Sequence, residues 1–221
     1  MSFITDAAKY YAAQPHQDAA WEALWASLDI PTQETFKAAY RAAPEPSKSN
    51  PLDVVYFYQN DNVSGTGYRE CFSSSCAMLA AYFGKVSSDD EYNVIRGSFG
   101  DSTNTAAQLS ALDYLGLGAS FLTDGSSESL KREIDAGRPV AVGWLHKGPV
   151  SSPSGGGHWS VVIGYTDTGF IFNDPNGEAN LVYGDYSNHI NGKGVLYSYK
   201  NWLPRWEVEG SNTGWYLTCS D

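Results

Sequence analysis

The chain has 221 residues, enough for one domain of good size and a small additional module. Its formal net charge of −11 argues against a nucleic-acid partner, because so acidic a chain offers no basic surface to replace the counterions of a phosphate backbone. A hydrophobic content of 42%, with 14% aromatic residues, is typical of a packed globular protein and argues against a disordered one.

The sequence lacks the features of an exported or membrane-spanning protein. Residues 1–11 contain neither the basic nor the apolar region of a signal peptide. No apolar run approaches the roughly 20 residues that a membrane-spanning helix needs. The three cysteines are an odd number and their spacing matches no zinc site, so we expect free thiols in a reducing compartment and no metal or other cofactor. These features predict synthesis in the cytoplasm.

Residues 1–43 predict a small helical module. Apolar side chains recur there at helical spacing in two stripes, namely Trp21, Leu24, Trp25 and Leu28, then Phe36, Ala39, Tyr40 and Ala43. Pro31 and Thr32 separate the stripes, and Thr32 is the candidate N-cap of the second helix. A hairpin of two amphipathic helices needs a further surface to bury its stripes, so we expect a docking partner for this module.

A proline-rich segment, residues 44–51, follows the helical module. Its three prolines and small polar residues predict a stiff, extended linker, so we place a domain boundary there. Residues 52–221 form the second predicted domain. It opens with a β-rich run over residues 52–58 and continues with a loop over residues 59–67.

Residues 71–84 predict a helix that begins at a cysteine. Serines occupy its first turn, strong helix formers follow, and Gly84 ends it. Cys71 lies where unpaired backbone N–H groups and the positive end of the helix dipole favour a thiolate, so it is the candidate nucleophile. The helix is expected to bury one stripe, formed by Cys76, Leu79, Ala80 and Phe83. We expect the other two thiols, those of Cys76 and Cys219, to be buried and inert.

Beyond the cysteine helix, the pattern changes from helical to extended. Three more helices are predicted, over residues 89–96, 104–115 and 127–136. Five strands are predicted after them, over residues 139–145, 159–165, 169–172, 195–199 and 215–219. Residues 166–169 join two of these strands as a hairpin turn. A helical first half and an antiparallel second half predict an α+β fold.

Some polar residues are interpreted as ordinary surface features. Asp89, Asp90 and Glu91 form an acidic cluster, which a solvated helix start explains better than a cation site does. His146 and His189 lie in loop-like surroundings, so both are expected at the surface.

His158 and Asp174 are the candidate partners of Cys71. His158 follows three glycines and starts a predicted strand, and Asp174 comes at the end of the strand paired with it. A hairpin centred on residues 166–169 brings both residues to the same open end, where the carboxylate can orient the imidazole. A cysteine at a helix start, a histidine and an aspartate are the set that nucleophilic catalysis by a thiolate requires.

These motifs resemble those of papain-like cysteine peptidases of the C39-like type. The resemblance lies in the cysteine helix and in the segments around the candidate histidine and aspartate, that is, in residues 71–84, 156–165 and 173–175. It covers about residues 52–221. The resemblance implies a papain-like thiol hydrolase fold in which the three candidate residues hydrolyse a peptide bond.

Gln59 matches the glutamine that helps form the oxyanion hole in this family. It lies twelve positions before Cys71, a longer spacing than the family usually has, so residues 61–68 look like an enlarged loop. Asn60 and Asn62 are alternatives for the same role.

A second resemblance bears on the substrate. The helical module and residues 200–206 are similar to proteins encoded by tailed phages. This resemblance implies a phage lysin that cleaves stem peptides or cross-links of bacterial peptidoglycan, carried in the virion or released to the host wall. The alternatives are a cysteine peptidase that processes proteins of a phage or prophage, and a non-catalytic module of virion or wall. The lack of a transporter segment argues against leader-peptide processing coupled to export.

Overall fold

The structure, a computed structural model, describes residues 29, 31–35 and 50–221. Residues 31–35 are helical, and the Asp29 carboxylate accepts the backbone N–H of Thr32 at 2.8 Å. Asp29 therefore caps this helix, and the prediction of Thr32 as its N-cap is wrong, because the aspartate offers an acceptor three positions earlier. The rest of the predicted helical module and nearly all of the linker lie outside the described residues, so the domain boundary stays a prediction.

Residues 50–221 contain five α-helices, which are α1 (Cys71–Tyr82), α2 (Asp89–Gly97), α3 (Thr105–Tyr114), α4 (Ser127–Asp135) and α5 (Tyr199–Trp206). Two short 3₁₀-helices, Gln59–Asp61 and Gly67–Arg69, precede α1. A polar side chain caps the start of α2, α3 and α4, each by accepting a backbone N–H of the first turn, as sequence preferences at helix starts predict.

The same residues contain eight strands, which are β1 (Gly118–Gly125), β2 (Val140–Trp144), β3 (His158–Tyr165), β4 (Gly169–Asn173), β5 (Glu178–Ala179), β6 (Tyr186–Asn188), β7 (Val195–Ser198) and β8 (Gly214–Ser220). Six of them form one sheet in the order β1-β8-β2-β3-β4-β7, and every neighbouring pair is antiparallel. Strands β5 and β6 form a separate ribbon. The helices and the antiparallel sheet confirm the predicted α+β fold.

Helix α1 lies in the core and packs against β2, β3, α2 and α3. Every residue from Phe72 to Ala80 is buried, so the prediction of a single buried stripe is too narrow. Phe83, the last member of that predicted stripe, is only half-buried. A helix with neighbours on all sides needs no polar face, which is why its serines are buried as well.

The predicted strand over residues 52–58 does not form. The Leu52 N–H donates to the carbonyl of Ile163 at 2.7 Å, but the Val54 N–H turns back to the carbonyl of Leu52 at 3.0 Å. That local turn ends the pairing after one bond, although both side chains are buried and apolar. Burial without a ladder explains why the strand-like composition is misleading here.

The sequence pattern did not predict four elements, namely β1, helix α5 and the two short strands β5 and β6. Strand β1 has a partly exposed alternating pattern and pairs with β8 at the edge of the sheet. Helix α5 packs against β2, β4 and β7, and its Trp202 and Trp206 rings stack with centroids 5.0 Å apart. No helix within the described ranges is long and apolar enough to cross a membrane.

Candidate active site

Cys71 is the first residue of α1 and is half-buried. No side-chain oxygen caps α1, in contrast to the three helices that follow it. The N–H groups of its first turn therefore keep their capacity to bind an anion, and the helix dipole adds to it. A thiolate at Cys71 lies at the end of the helix that stabilises negative charge.

The other two cysteines have a different environment. Cys76 and Cys219 are buried, as predicted. Burial raises the pKa of the Cys219 thiol to about 12, and burial raises the pKa of the Cys76 thiol well above its ordinary value. Both thiols stay protonated at neutral pH, which makes them poor nucleophiles.

His158 is the first residue of β3 and is 3% exposed. The chain enters β3 through Gly155 and Gly157, whose φ angles of +109° and +90° lie in the left-handed region that favours glycine. Pairing of His158 with Trp144 sets where the ring lies, and the two rings meet edge to face at 5.4 Å. The glycines thus have a conformational reason for their place before the histidine.

Asp174 directly follows β4, the strand that pairs with β3, and is fully buried. Its Oδ1 lies 2.7 Å from Nε2 of His158. The same oxygen accepts the Asn176 N–H at 3.1 Å. The structure therefore brings together the histidine and the aspartate that the hairpin register predicted.

The His158 ring is held between Asp174 and Cys71. Burial lowers the pKa of His158, but the charge of Asp174, its hydrogen bond and a hydrogen bond with the Cys71 side chain outweigh burial and raise the pKa to about 10. The imidazolium is thus the favoured form near neutral pH. A cation between a thiol and a carboxylate supports a thiolate at Cys71.

Gln59, at the start of a 3₁₀-helix, is buried beside these residues in the fold. Its Nε2 donates to the carbonyl of Gly67 at 2.8 Å, and its backbone N–H donates to the carbonyl of Pro175 at 2.9 Å. The first bond ties Gln59 to the segment that leads into Cys71, and the second ties it to the turn after Asp174. The longer spacing to Cys71 therefore does not separate Gln59 from the catalytic elements.

The two alternatives to Gln59 use their amides elsewhere. Asn60 Nδ2 donates to Oδ1 of Asn176 at 2.9 Å. Asn62 Nδ2 donates to Glu70 Oε2 at 2.6 Å and lies 3.4 Å from the hydroxyl oxygen of Ser74. Asn62 is buried in these contacts, so its amide is committed to structure.

The model of the Peptidase_C39 like family matches residues 51–201, which is most of the chain. The matched range includes Gln59, Cys71, His158 and Asp174. The chain belongs to this family. It is therefore a cysteine peptidase of the C39-like type.

Three solved structures are similar to this C39-like peptidase. A double glycine motif protease from an AMS/PCAT transporter, in complex with the leader peptide, is 21% identical, with a TM-score of 0.50 over 78% of this chain and 95% of that one. A second structure is the peptidase domain of Streptococcus ComA, a bifunctional ABC transporter involved in a quorum-sensing pathway. It is 18% identical, with a TM-score of 0.49, and the match covers 75% of this chain and 96% of that one. A C39-like peptidase from Bacillus anthracis is 15% identical, with a TM-score of 0.49, and the match covers 79% of this chain and 98% of that one. No curated protein matches the chain.

Glu70 is a buried charged residue beside the candidate nucleophile whose contacts the sequence interpretation missed. It directly precedes Cys71, and only 2% of it is exposed. Its carboxylate accepts hydrogen bonds from Asn62 at 2.6 Å, Ser64 at 3.0 Å and Thr66 at 2.7 Å. These contacts hold the enlarged loop against the start of α1. The sequence did offer one indication of these contacts. Glu70 follows a loop rich in hydroxyl and amide side chains and precedes an apolar helix.

His146 is the clearest error among the predicted surface residues of this peptidase. It is partly buried, and its ring centroid lies 5.6 Å from that of His158. Burial and then the charge of His158 lower the pKa of His146 to about 4, so it is neutral near neutral pH. His189 is exposed, as predicted, and stacks on Tyr186 with centroids 5.1 Å apart. The loop-like composition around His146 gave no indication that its side chain packs against His158.

The acidic cluster at the start of α2 is not fully solvated. Asp89 is 6% exposed and accepts the hydroxyl of Ser74 at 2.9 Å, and burial raises its pKa to about 6. Packing of α2 on α1 buries this position, which the sequence-based interpretation did not anticipate. In the part of the chain that the structure describes, no group of three or more His, Cys, Asp or Glu side chains could hold a metal ion.

Proposed function

We propose that Cys71, His158 and Asp174 hydrolyse a peptide bond by nucleophilic catalysis. The observation that carries the proposal is the buried His158 ring, which lies 2.7 Å from the Asp174 carboxylate and whose pKa is raised by Asp174 and by the Cys71 side chain. A nucleophile, a base and a group that orients the base are the three parts that covalent catalysis by a thiolate uses. Asp174 holds the ring and its tautomer and stabilises the imidazolium.

The reaction proceeds in two steps. The Cys71 thiolate attacks the carbonyl carbon of the scissile bond, and His158 gives its proton to the departing amine as the C–N bond breaks. The product is a thioester on Cys71. His158 then takes a proton from a water molecule, which attacks the thioester carbon, and the C–S bond breaks to release the acid and restore the thiolate.

Gln59 and the backbone N–H of Cys71 are the proposed donors to the oxyanion. Gln59 Nε2 carries two protons and the Gly67 carbonyl accepts only one of them, so one remains for the substrate. An oxyanion donor of this kind typically lowers the barrier by about 3–4 kcal/mol. Asn62 is less suitable because its amide nitrogen already contacts both Glu70 and Ser74, and Asn60 is less suitable because it is exposed at the surface and its amide binds Asn176.

The proposed substrate is a stem peptide or cross-link of bacterial peptidoglycan, cleaved by a protein of a phage that is carried in the virion or released to the wall. Short, branched stem peptides suit an open and polar site. Residues 155–157 before His158 are exposed, and the loop over residues 61–68 is mostly exposed and polar. The acidic chain gives no electrostatic help in reaching an anionic wall.

A protein or peptide precursor is the second candidate substrate. The observation in its favour is the double glycine motif protease of similar fold, which was solved with a leader peptide bound. The two candidates differ in backbone chemistry, because stem peptides contain D-residues and a protein precursor does not. Direct digestion separates them.

The test is digestion of three substrates by the whole chain. Muropeptides from purified walls, casein and a synthetic peptide with a double-glycine site are each incubated with enzyme, and the products are identified by mass spectrometry. We expect muropeptides to be cut at a peptide bond and casein to survive. Cys71→Ala should abolish cleavage, and Cys219→Ala, which removes a buried thiol, should retain it. Cleavage of casein or of the synthetic peptide with intact muropeptides would make the precursor the substrate, and cleavage by Cys71→Ala would refute the mechanism.

A further inference from the structure

Tyr197, on β7, contacts Asp174 from the side opposite His158. Its hydroxyl lies 2.9 Å from Oδ2 of Asp174, the oxygen that His158 does not use. The tyrosine is 3% exposed, so neither partner has easy access to water. A buried carboxylate is costly unless each oxygen has a donor.

The proton of the Tyr197 hydroxyl has a defined direction. The Ala179 N–H donates to the hydroxyl oxygen at 2.9 Å, which leaves the single hydroxyl proton to be donated elsewhere. Two acceptors are within reach, Oδ2 of Asp174 at 2.9 Å and the carbonyl of Gly177 at 3.5 Å. The carboxylate is closer and charged, so it takes the proton.

The fold holds the Tyr197 ring in place independently of this bond. Strand β7 pairs with β4, and the Tyr197 ring lies 4.9 Å from that of Phe172 and 5.9 Å from that of Trp144. Trp144 in turn meets His158 edge to face. The hydroxyl is thus presented by a rigid sheet and not by a mobile loop.

We propose that Tyr197 is a positioning residue that holds the Asp174 carboxylate in the orientation that His158 requires. The inference rests on the proposed function of the site. Without the hydroxyl, Oδ2 loses its nearest donor, and only the contacts of Oδ1 with His158 and the Asn176 N–H then orient the carboxylate. Tyr186 cannot replace it, because its hydroxyl lies 3.5 Å from Oδ1, and Tyr56 binds only the main-chain carbonyl of Asp174.

The test uses Tyr197→Phe, which removes one oxygen and keeps the ring. Two readouts are measured, the rate of Cys71 alkylation by iodoacetamide as a function of pH and the kcat and KM for the substrate identified above. We expect the alkylation rate at pH 6 and kcat to fall about tenfold each, the size of a lost hydrogen bond to a charged group, with KM nearly unchanged. The midpoint of the alkylation profile should move to higher pH, because a misoriented Asp174 stabilises the imidazolium less.

Tyr165→Phe is the matched control. It removes a hydroxyl that donates to the Asp135 carboxylate at 2.7 Å, at the opposite end of β3. We expect wild-type alkylation and turnover from it. Unfolding midpoints are measured for every variant, and alkylation is compared at a temperature well below the lowest of them.

A double-mutant cycle with Asp174→Asn separates positioning from general stability. If Tyr197 acts through Asp174, adding Tyr197→Phe to Asp174→Asn changes the alkylation rate by less than about twofold. Additive effects, or an unchanged rate in Tyr197→Phe alone, would overturn the inference. A wild-type Cys71 that reacts no faster than a free cysteine would instead overturn the proposed function, so the two failures are distinguishable.

Discussion

The two sides of the catalytic site are built in different ways. His158 and Asp174 lie on or directly after paired strands of the central sheet, where backbone hydrogen bonds define their places. Gln59 and Glu70 lie on irregular segments, where the hydrogen bonds come mainly from side chains. A ladder of backbone bonds does not depend on any one side chain, whereas three side chains of the loop donate to one buried carboxylate, that of Glu70.

This difference predicts two kinds of mutational effect. A strand cannot shift by one residue without turning every side chain to the other face, so the backbone on the sheet side keeps its geometry when one polar group is removed. Substitutions there should change chemistry and leave the fold intact. The loop side lacks such a ladder, and substitutions there should change both the geometry of the site and the stability of the loop.

The largest effect is expected for Asp174→Asn on the sheet side. The amide cannot stabilise the His158 imidazolium as a carboxylate does, so we expect kcat to fall by about 10³- to 10⁴-fold with circular dichroism unchanged. Asp174→Ala should be at least as harmful. Asp167→Asn, at the exposed hairpin turn between β3 and β4, is the control and should retain wild-type turnover. Wild-type turnover in both Asp174 variants would show that Asp174 only helps to form the turn and takes no part in catalysis.

The second prediction concerns the oxyanion donor on the loop side. Gln59→Ala should lower kcat by about 10²- to 10³-fold, the usual effect of removing one such donor, with a smaller change in KM. Asn60→Ala removes an amide from the same 3₁₀-helix that binds Asn176, and should cost only a few-fold. Steady-state kinetics of both variants decide the matter. A larger loss from Asn60→Ala would transfer the role to Asn60.

The third prediction tests whether Glu70 acts through the loop. Glu70→Gln replaces one acceptor oxygen by an NH₂ group, which then faces either the Thr66 hydroxyl at Oε1 or the Asn62 amide and Ser64 hydroxyl at Oε2. We expect kcat/KM to fall about tenfold, in line with the loss of a hydrogen bond to a charged group. Loss of loop order should accompany it as faster proteolysis within residues 61–68.

Two controls accompany the Glu70 variant. Glu178→Gln changes an exposed glutamate that binds Asn188, and should leave activity unchanged. In a Gln59→Ala background, Glu70→Gln should have little further effect on kcat, because the donor that the loop holds is already absent. Full additivity of the two substitutions would show that Glu70 has a separate role.

The parts of the site that the sequence predicted are those that follow a repeating pattern. Cys71 stood at a helix start, and His158 and Asp174 stood at matching ends of a hairpin, so helix periodicity and strand alternation sufficed to place them. The structure places His158 and Asp174 2.7 Å apart, and the Cys71 side chain contributes to the raised pKa of His158. Their catalytic roles remain the proposal that the variants above test.

The parts that could not be predicted depend on contacts between distant segments. The network around Glu70 joins a loop to a helix start through side chains, and no local pattern encodes it. His146 looked like a loop residue but packs beside His158 because strand β2 ends there. Residues 52–58 had the composition of a strand, yet a turn at Val54 ends their pairing. In each case tertiary packing overrode the local preference.

The last prediction concerns stability and has the smallest expected effect on activity. Burial raises the pKa of Asp89 to about 6, above the ordinary value of an unfolded chain, so the folded state binds the proton more tightly. Stability therefore falls as pH rises from about 4 to about 6, and the full cost remains at higher pH. Asp89→Asn cannot ionise and still accepts the Ser74 hydroxyl.

Urea unfolding of Asp89→Asn at pH 4 and pH 7.5 tests whether ionisation of Asp89 lowers the stability of the folded protein. We expect little change at pH 4 and a gain of about 1–3 kcal/mol at pH 7.5, because a two-unit rise in pKa is worth about that much. Ser88→Ala is the control, since its hydroxyl accepts the Glu91 N–H at 3.1 Å and does not titrate. Loss of this cap should destabilise by about 1 kcal/mol at both pH values. A gain from Asp89→Asn of the same size at both pH values would mean that packing, and not the buried charge, limits the stability of α2.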